Sequence, residues 1–380
     1  MKNLLFSLLT ILLINASFCN VDLSTYYKEF IYNHGYNLEV HEVTTDDGYI
    51  LSLWHLTPKS ATQKVAYFQH GLTDTAWCFF QLESRSLPFL LMKEGFDVWL
   101  GNGRGNIFSL KHKTKDPNNS KSGFFDFSMD ENVKYDLPAT IKYIKSKTGG
   151  KKMSYIAHSQ GSTIFFMLYM HNPSLVESSF DHFSSVGTVP NIAHAVFSPI
   201  KLLDTIYGLL DLFNFGKGML TLSDSQRLKI SNFCKILPFS CNTFFELGAN
   251  IKYTKRIDYS KIYNYLYYYP GGTSKINLLQ WSQIHTLKKL VYYNPNYDKT
   301  ETATPYNLKN LSKWKIKALV ARTDMDTLSS YQDVTDFYNN IEDKSYVKIL
   351  DLTNYGHLDV LAADSAYTDV FLPIVKFLKN

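Results

Sequence analysis

No stretch of this chain supplies the roughly 20 consecutive apolar residues that a membrane-spanning helix requires. The sequence therefore predicts no stable membrane anchor. Long Lys/Arg blocks are also missing, and a formal charge of +5 is mild for 380 residues. Nucleic-acid binding, which needs a concentrated basic surface, has no support. Internal repeats and low-complexity segments are lacking, which excludes solenoids and disordered linkers. Cysteine is scarce, with 4 in the whole chain, too few for a fold held together by disulfides.

What is present is apolar and aromatic material. At 45% hydrophobic and 15% aromatic, the chain can bury a large core. Its first residues, MKNLLFSLLTILLINASFC, combine a lysine, a short apolar run and small residues at Ser17 and Cys19. That order predicts a signal peptide over 1–19, and hence a secreted or lysosomal protein. An exported chain permits a disulfide between Cys234 and Cys241. Asn118 and Asn310 head N-x-S sequons, the acceptor pattern for glycosylation.

Along the chain, short apolar runs alternate with helical patterns. EVHEVTTDDGYILSLWHL (39–56) reads as two strands around a turn at Asp47-Gly48. KVAYFQHG, FDVWL and MSYIA read as buried strands. SLPFLLMKEG reads as a helix, and Ser128 to Glu131 as a capping box that opens another, with a restart at Pro138. Strands return at 182–189, 315–322 and 346–352. This alternation predicts an α/β fold, a mostly parallel central sheet flanked by helices. The core is expected over 20–190 and 310–380. The stretch 191–309 differs: it has apolar residues at helical spacing from Ile200 to Phe213, and five tyrosines within 263–269. It reads as a helical cap or lid insertion over an apolar pocket.

The chemistry centres on AHSQG. Ser159 falls between a predicted strand and a predicted helix, where a sharp turn can lift its hydroxyl off the sheet. Gly161 allows strand and helix to approach, while Ala157 stands where a second glycine is usual. A serine needs a base, and the base an orienting acid. His357, beside Gly356 after the last predicted strand, suits the base. Asp324 and Asp326 both follow the strand at 315–322, and either can orient it. Two backbone N–H groups must hold the oxyanion. Gln160 follows the nucleophile, and Leu72 follows the loop at His70-Gly71.

These residues sit in blocks that resemble the acid lipases of the α/β-hydrolase fold, the gastric and lysosomal group. The blocks are GYNLEVHEVTTDDGYIL, FQHGLTDTAWCF, DVWLGNGRGN, FSMDENVKYDLPATI, AHSQGS, SSVGTVPNIAHAVFSP, GGTSKINLLQWSQ and NYGHLDV, in the family's order. The resemblance implies a triad acid eight residues before the Val of a terminal Asp-Val pair, which selects Asp326. It also implies oxyanion donors at Leu72 and Gln160 and a cap disulfide matching Cys234–Cys241. It implies a serine lipase or esterase of neutral-lipid esters (triacylglycerols and sterol esters), acting at a lipid–water interface without metal or organic cofactor. The chain departs from the family at Ala157 and at Arg322-Thr323-Asp324-Met325, where a glycine pair is usual. Two other readings are a broad carboxylesterase of soluble short-chain esters and a non-catalytic lipid-binding protein that retains the fold.

Overall fold

Among the described residues a sheet of nine strands runs in the order β1-β2-β4-β3-β6-β7-β8-β9, with the short β5 paired to β2. The computed structural model describes residues 21–57, 64–195, 218, 221–238, 256–258, 261–297 and 303–380. The expected signal peptide over 1–19, the apolar helical pattern from Ile200 to Phe213, and Cys241 lie outside the described residues.

The strands are β1 (Asn37–Thr44), β2 (Tyr49–Thr57), β3 (Lys64–Gln69), β4 (Phe96–Gly101), β5 (Lys111–His112), β6 (Met153–Ser159), β7 (Phe180–Thr188), β8 (Lys317–Thr323) and β9 (Val347–Leu352). β1 and β2 form an antiparallel hairpin whose turn closes at Gly48, with φ of 96°. From β4 through β3, β6, β7 and β8 to β9 every pairing is parallel. A parallel sheet is stable only when both faces are covered, and the strand sequences comply. Residues 65–69 and 153–158 are buried without alternation. Two apolar clusters, one on each face, divide the core.

The helices used below are α1 (Tyr26–Asn33), α2 (Leu87–Lys93), α3 (Leu137–Lys147), α4 (Gln160–His171), α5 (Asp224–Ile236), α6 (Lys275–Leu287), α7 (Tyr331–Asn340) and α8 (Leu372–Lys379). The Ser128 capping box forms, with Glu131 accepting from the Ser128 backbone N–H at 2.6 Å. The expected restart at Pro138 does not occur. The helix runs on through a π turn at Asn132–Asp136 into α3. Pro138 lacks the N–H that would bond four residues back, and its ring crowds that carbonyl; a wider turn relieves both. Pro373 follows a second π turn, Tyr367–Phe371, for the same reason.

Within 191–309, the described pieces pack into the body of the molecule. Trp281 and Ile284 of α6 belong to the apolar cluster that holds Tyr67 and Tyr155 of the sheet. Asp130 ties this helix down: it accepts from Gln280 Nε2 at 2.8 Å and from the Tyr306 hydroxyl at 2.6 Å. The tyrosine-rich run forms a 3₁₀ segment at Ile262–Tyr267. Its Tyr265, Tyr267 and Tyr268 are buried against α1 and the loop that follows β3. No helix among the described residues is long and apolar enough to cross a membrane.

Candidate active site

β6 ends at Ser159, and α4 begins at the next residue. Ser159 takes φ 51° and ψ −125°, a conformation that L-residues rarely adopt. Such strain costs about 1–3 kcal/mol and must be imposed by the surroundings. The surroundings are specific. The Ser162 hydroxyl donates to the Ser159 carbonyl at 2.7 Å and accepts from the Val189 N–H at 2.9 Å, joining the first turn of α4 to the end of β7. A Cβ at Gly161 would lie 2.3 Å from the Gln69 carbonyl oxygen, so only glycine fits there. Ala157 is different. It is fully buried within the apolar cluster, paired to Gln69 of β3 and Ser185 of β7. Its methyl fills core space, and the strand keeps its register from Ser154 to His158.

The Ser159 hydroxyl lies 2.9 Å from His357 Nε2. His357 Nδ1 lies 2.6 Å from Asp326 Oδ2. Both side chains are buried, so the pair is screened from water. With Nδ1–H donating to the carboxylate, Nε2 carries the lone pair toward Ser159. The other Asp326 oxygen accepts from the Leu328 and Ser329 N–H groups at 2.8 and 3.0 Å, fixing the carboxylate in its loop. Asp324 is exposed and does not touch His357. It accepts from the Tyr355 N–H at 3.3 Å and so braces the loop that carries the histidine. The Asp359 carboxylate accepts from the Gly356 N–H at 2.6 Å and closes that loop from the other side.

The loop after β3 comes directly over the serine. A Cβ at Gly71 would meet Ser159 Cβ at 2.8 Å. Thr73 sits at φ 57°, which turns the chain at Leu72–Thr73. The Leu72 N–H has no acceptor among the described residues. Gln160 is the first residue of α4, where backbone N–H groups lack intrahelical partners. The two expected oxyanion donors therefore sit beside the serine, one in the loop after β3 and one at the start of α4.

Several neighbours were given no role of their own in the sequence, His70 being named only as a loop residue. His70 is buried, with Nδ1–H donating to the Gly71 carbonyl at 2.8 Å and Nε2 accepting from the Gly103 N–H at 2.9 Å. Burial pushes its pKa down to about 4, which keeps it neutral and its two roles distinct. Trp281 donates from Nε1 to Gln160 Oε1 at 2.7 Å, linking α6 to the candidate oxyanion residue. Asp74 is buried and accepts from the Tyr265 hydroxyl at 2.7 Å and the Thr75 N–H at 2.8 Å. Burial raises its pKa to about 7. Arg104, in the loop after β4, is gripped by Asp136 (2.6 Å) and Asp47 (2.7 Å) and lies over the Tyr49 ring at 4.0 Å. No motif gives the partners of a lone Asp or Trp. The GNGRGN block does mark Arg104, but only as a loop residue.

Of the other expected positions, Cys234 is buried and disulfide-bonded, while Cys78 is a buried free thiol. Asn118 is exposed. Asn310 is half-buried, and its side-chain amide donates to the Met170 carbonyl at 2.8 Å.

Comparison with known proteins places this geometry in context. Residues 27–82 match the family described as a partial alpha/beta-hydrolase lipase region, and residues 67–193 match the alpha/beta hydrolase fold. The chain is 32% identical to lipase member K of Homo sapiens over 91% of its length and 90% of that protein. It is also 32% identical to gastric triacylglycerol lipase of Mus musculus, covering 90% of this chain and 89% of the other. Among solved structures, an esterase of Pyrococcus furiosus superimposes with a TM-score of 0.51 at 14% identity, over 92% of both chains. That likeness concerns the fold.

Proposed function

The chain belongs to the lipase family of the α/β-hydrolase fold, the family of gastric triacylglycerol lipase and lipase member K, and from that premise we propose that it hydrolyses neutral-lipid esters through a Ser159 acyl-enzyme. As a carboxylic ester hydrolase it needs a nucleophile, a base and an oxyanion site. Ser159, His357 and Asp326 fill the first two roles in this reading. The observation that carries it is the continuous hydrogen-bonded line from Ser159 Oγ through His357 to Asp326.

The mechanism follows from that line. Ser159 Oγ attacks the ester carbonyl carbon while its proton passes to His357 Nε2. Asp326 stabilises the imidazolium through Nδ1–H and is not itself protonated. The carbonyl oxygen becomes an oxyanion held by the Leu72 and Gln160 N–H groups, each worth about 3–4 kcal/mol of barrier. As the C–O bond to the alcohol breaks, His357 returns the proton to the leaving oxygen. Water, deprotonated by the same histidine, then releases the fatty acid and regenerates the Ser159 hydroxyl.

Triacylglycerols and sterol esters are the proposed substrates, met at a lipid–water interface. Support comes from the relatives' names and from the apolar and aromatic composition of 191–309. Secretion or lysosomal delivery is proposed from the leader-like first residues, with Asn118 the more accessible of the two glycan acceptors. The test compares wild type and Ser159→Ala on emulsified long-chain triacylglycerol, a sterol ester and a soluble short-chain ester. Wild type should favour the emulsions, and the variant should lose activity on all three. Activity confined to the soluble ester would instead support a broad carboxylesterase, and unchanged activity in Ser159→Ala would remove the mechanism.

A further inference from the structure

Far from the serine, on the β1–β2 hairpin, two histidines and a glutamate converge. Glu39 of β1 is directly paired with His55 of β2, and His41 follows two residues along β1. Directly opposed residues share a face of a sheet, as do residues two apart. All three side chains therefore rise on one side. Glu39 Oε2 lies 3.4 Å from His41 Nε2 and 3.9 Å from His55 Nδ1. The three ligand atoms lie within 4.8 Å of one another.

The remaining ring nitrogens are already engaged. His55 Nε2–H donates to Asp97 Oδ1 at 2.6 Å, and the ring stacks on Trp99 at 3.8 Å and 5°. A histidine held in this way directs its Nδ1 lone pair toward Glu39. His41 Nδ1 lies 3.1 Å from the Tyr143 hydroxyl of α3. Its Nε2 is shielded from solvent and makes no hydrogen bond among the described residues. With Nδ1–H donating to the Tyr143 oxygen, Nε2 carries the lone pair toward Glu39.

We propose that Glu39, His41 and His55 form a binding site for a divalent transition cation, zinc above all. Zinc takes imidazole nitrogen and carboxylate oxygen at about 2.0–2.2 Å in tetrahedral array, which sets ligand atoms about 3.3–3.6 Å apart. The Glu39–His41 separation already meets that spacing, and the Glu39–His55 separation needs only a few tenths of an ångström. Asp97 and Tyr143 supply the outer hydrogen bonds that orient ligating histidines. Glu39 is 56% exposed on its side chain, so the site opens to solvent through it. Zinc fills the fourth position with water, and the ion clamps the edge strand β1 to β2.

A second group, Asp74, Cys78 and His158, also lies within ligand reach. Its carboxylate oxygens are taken by Tyr265 and Thr75, and burial holds the Cys78 thiol protonated. A cation there would break two hydrogen bonds and expel a proton from the core. The hairpin site requires neither.

Calorimetric titration of the purified full chain with zinc sulfate tests the proposal. One saturating site is expected, with a thermal midpoint that rises with zinc concentration. The His41→Gln/His55→Gln double variant should lose both effects, and Asp97→Asn should weaken binding about 10–100-fold. Ester hydrolysis without zinc should be unchanged in each, which verifies folding; Glu39→Gln, altering an exposed side chain, gives an independent weakened variant. Absence of saturable binding in wild type overturns the proposal. So does undiminished binding in the double variant, or loss of the site in Cys78→Ser, which would assign the ion to the buried group.

Discussion

Trp281 of α6 donates a 2.7 Å hydrogen bond to the side chain of Gln160, the residue that directly follows Ser159. A helix from the middle of the chain thereby reaches the turn on which the candidate nucleophile sits. Trp281→Phe keeps the packing and deletes the bond. A neutral hydrogen bond is worth about 0.5–1.5 kcal/mol, so a fall in kcat of about threefold to tenfold is expected with little change in KM. Steady-state kinetics on one ester, with denaturant unfolding as the control, checks it.

The two acidic candidates after β8 separate sharply. Asp326→Asn removes the carboxylate that fixes the His357 tautomer, and a loss of about 10⁴ in kcat is expected. Asp324→Asn should alter kcat by only a few-fold, since Asp324 touches the loop backbone and not the ring. Parallel kinetics of the two variants decides; equal losses would move the orienting role.

The two small residues around Ser159 should respond in opposite ways. Gly161→Ala forces a methyl against the Gln69 carbonyl and should abolish folding or activity. Ala157→Gly should leave kcat unchanged and lower stability by about 1 kcal/mol, from strand entropy and lost burial. Urea unfolding with activity assays on the soluble fraction measures both.

Arg104 joins the β1–β2 turn, the loop after β4 and the π turn through Asp47 and Asp136. Arg104→Ala strands two carboxylates near a fully buried position, and a loss of about 3–5 kcal/mol is expected. Arg104→Lys keeps the charge but cannot serve both carboxylates with a planar fork, so it should recover only part of the loss. Chemical denaturation of both variants provides the comparison.

Asp74 makes stability depend on pH in an acid-favouring sense. Its folded pKa, near 7, lies above the ordinary value of 3.8. The folded state thus binds this proton more tightly, so its contribution is fully present below about pH 4 and is lost as pH rises through 7. Asp74→Asn, which stays neutral, should remove that decline. Unfolding free energies at several pH values between 4 and 8 should fall more steeply with pH in wild type than in the variant.

The elements nearest the candidate site were readable in one dimension. β3, β4 and β6 are short buried runs ended by loops, and α4 is an apolar helix stopped at Asn172-Pro173. Ser159 could be found because its type and its position between a strand and a helix coincide within five residues. The Pro138 restart was misread because a π turn leaves no mark in periodicity; only the whole helix shows that widening costs less than breaking.

The sequence by itself determined the order of strands and helices, and offered Ser159 and His357 as candidate nucleophile and base. These depend on local properties: hydrophobic period, turn chemistry and residue type. Tertiary structure showed that Asp326, the aspartate the family resemblance favours, is the one that faces His357, and it alone decided how the Ala157 methyl is housed and where Trp281, Asp74 and Arg104 find partners. It also set Glu39 opposite His55, since strand register follows from the pairing of whole segments. Partnership over long separations is a matter of packing in three dimensions, and Ser159 and His357, 198 positions apart, are neighbours only because β6 and β9 end on the same edge of one parallel sheet.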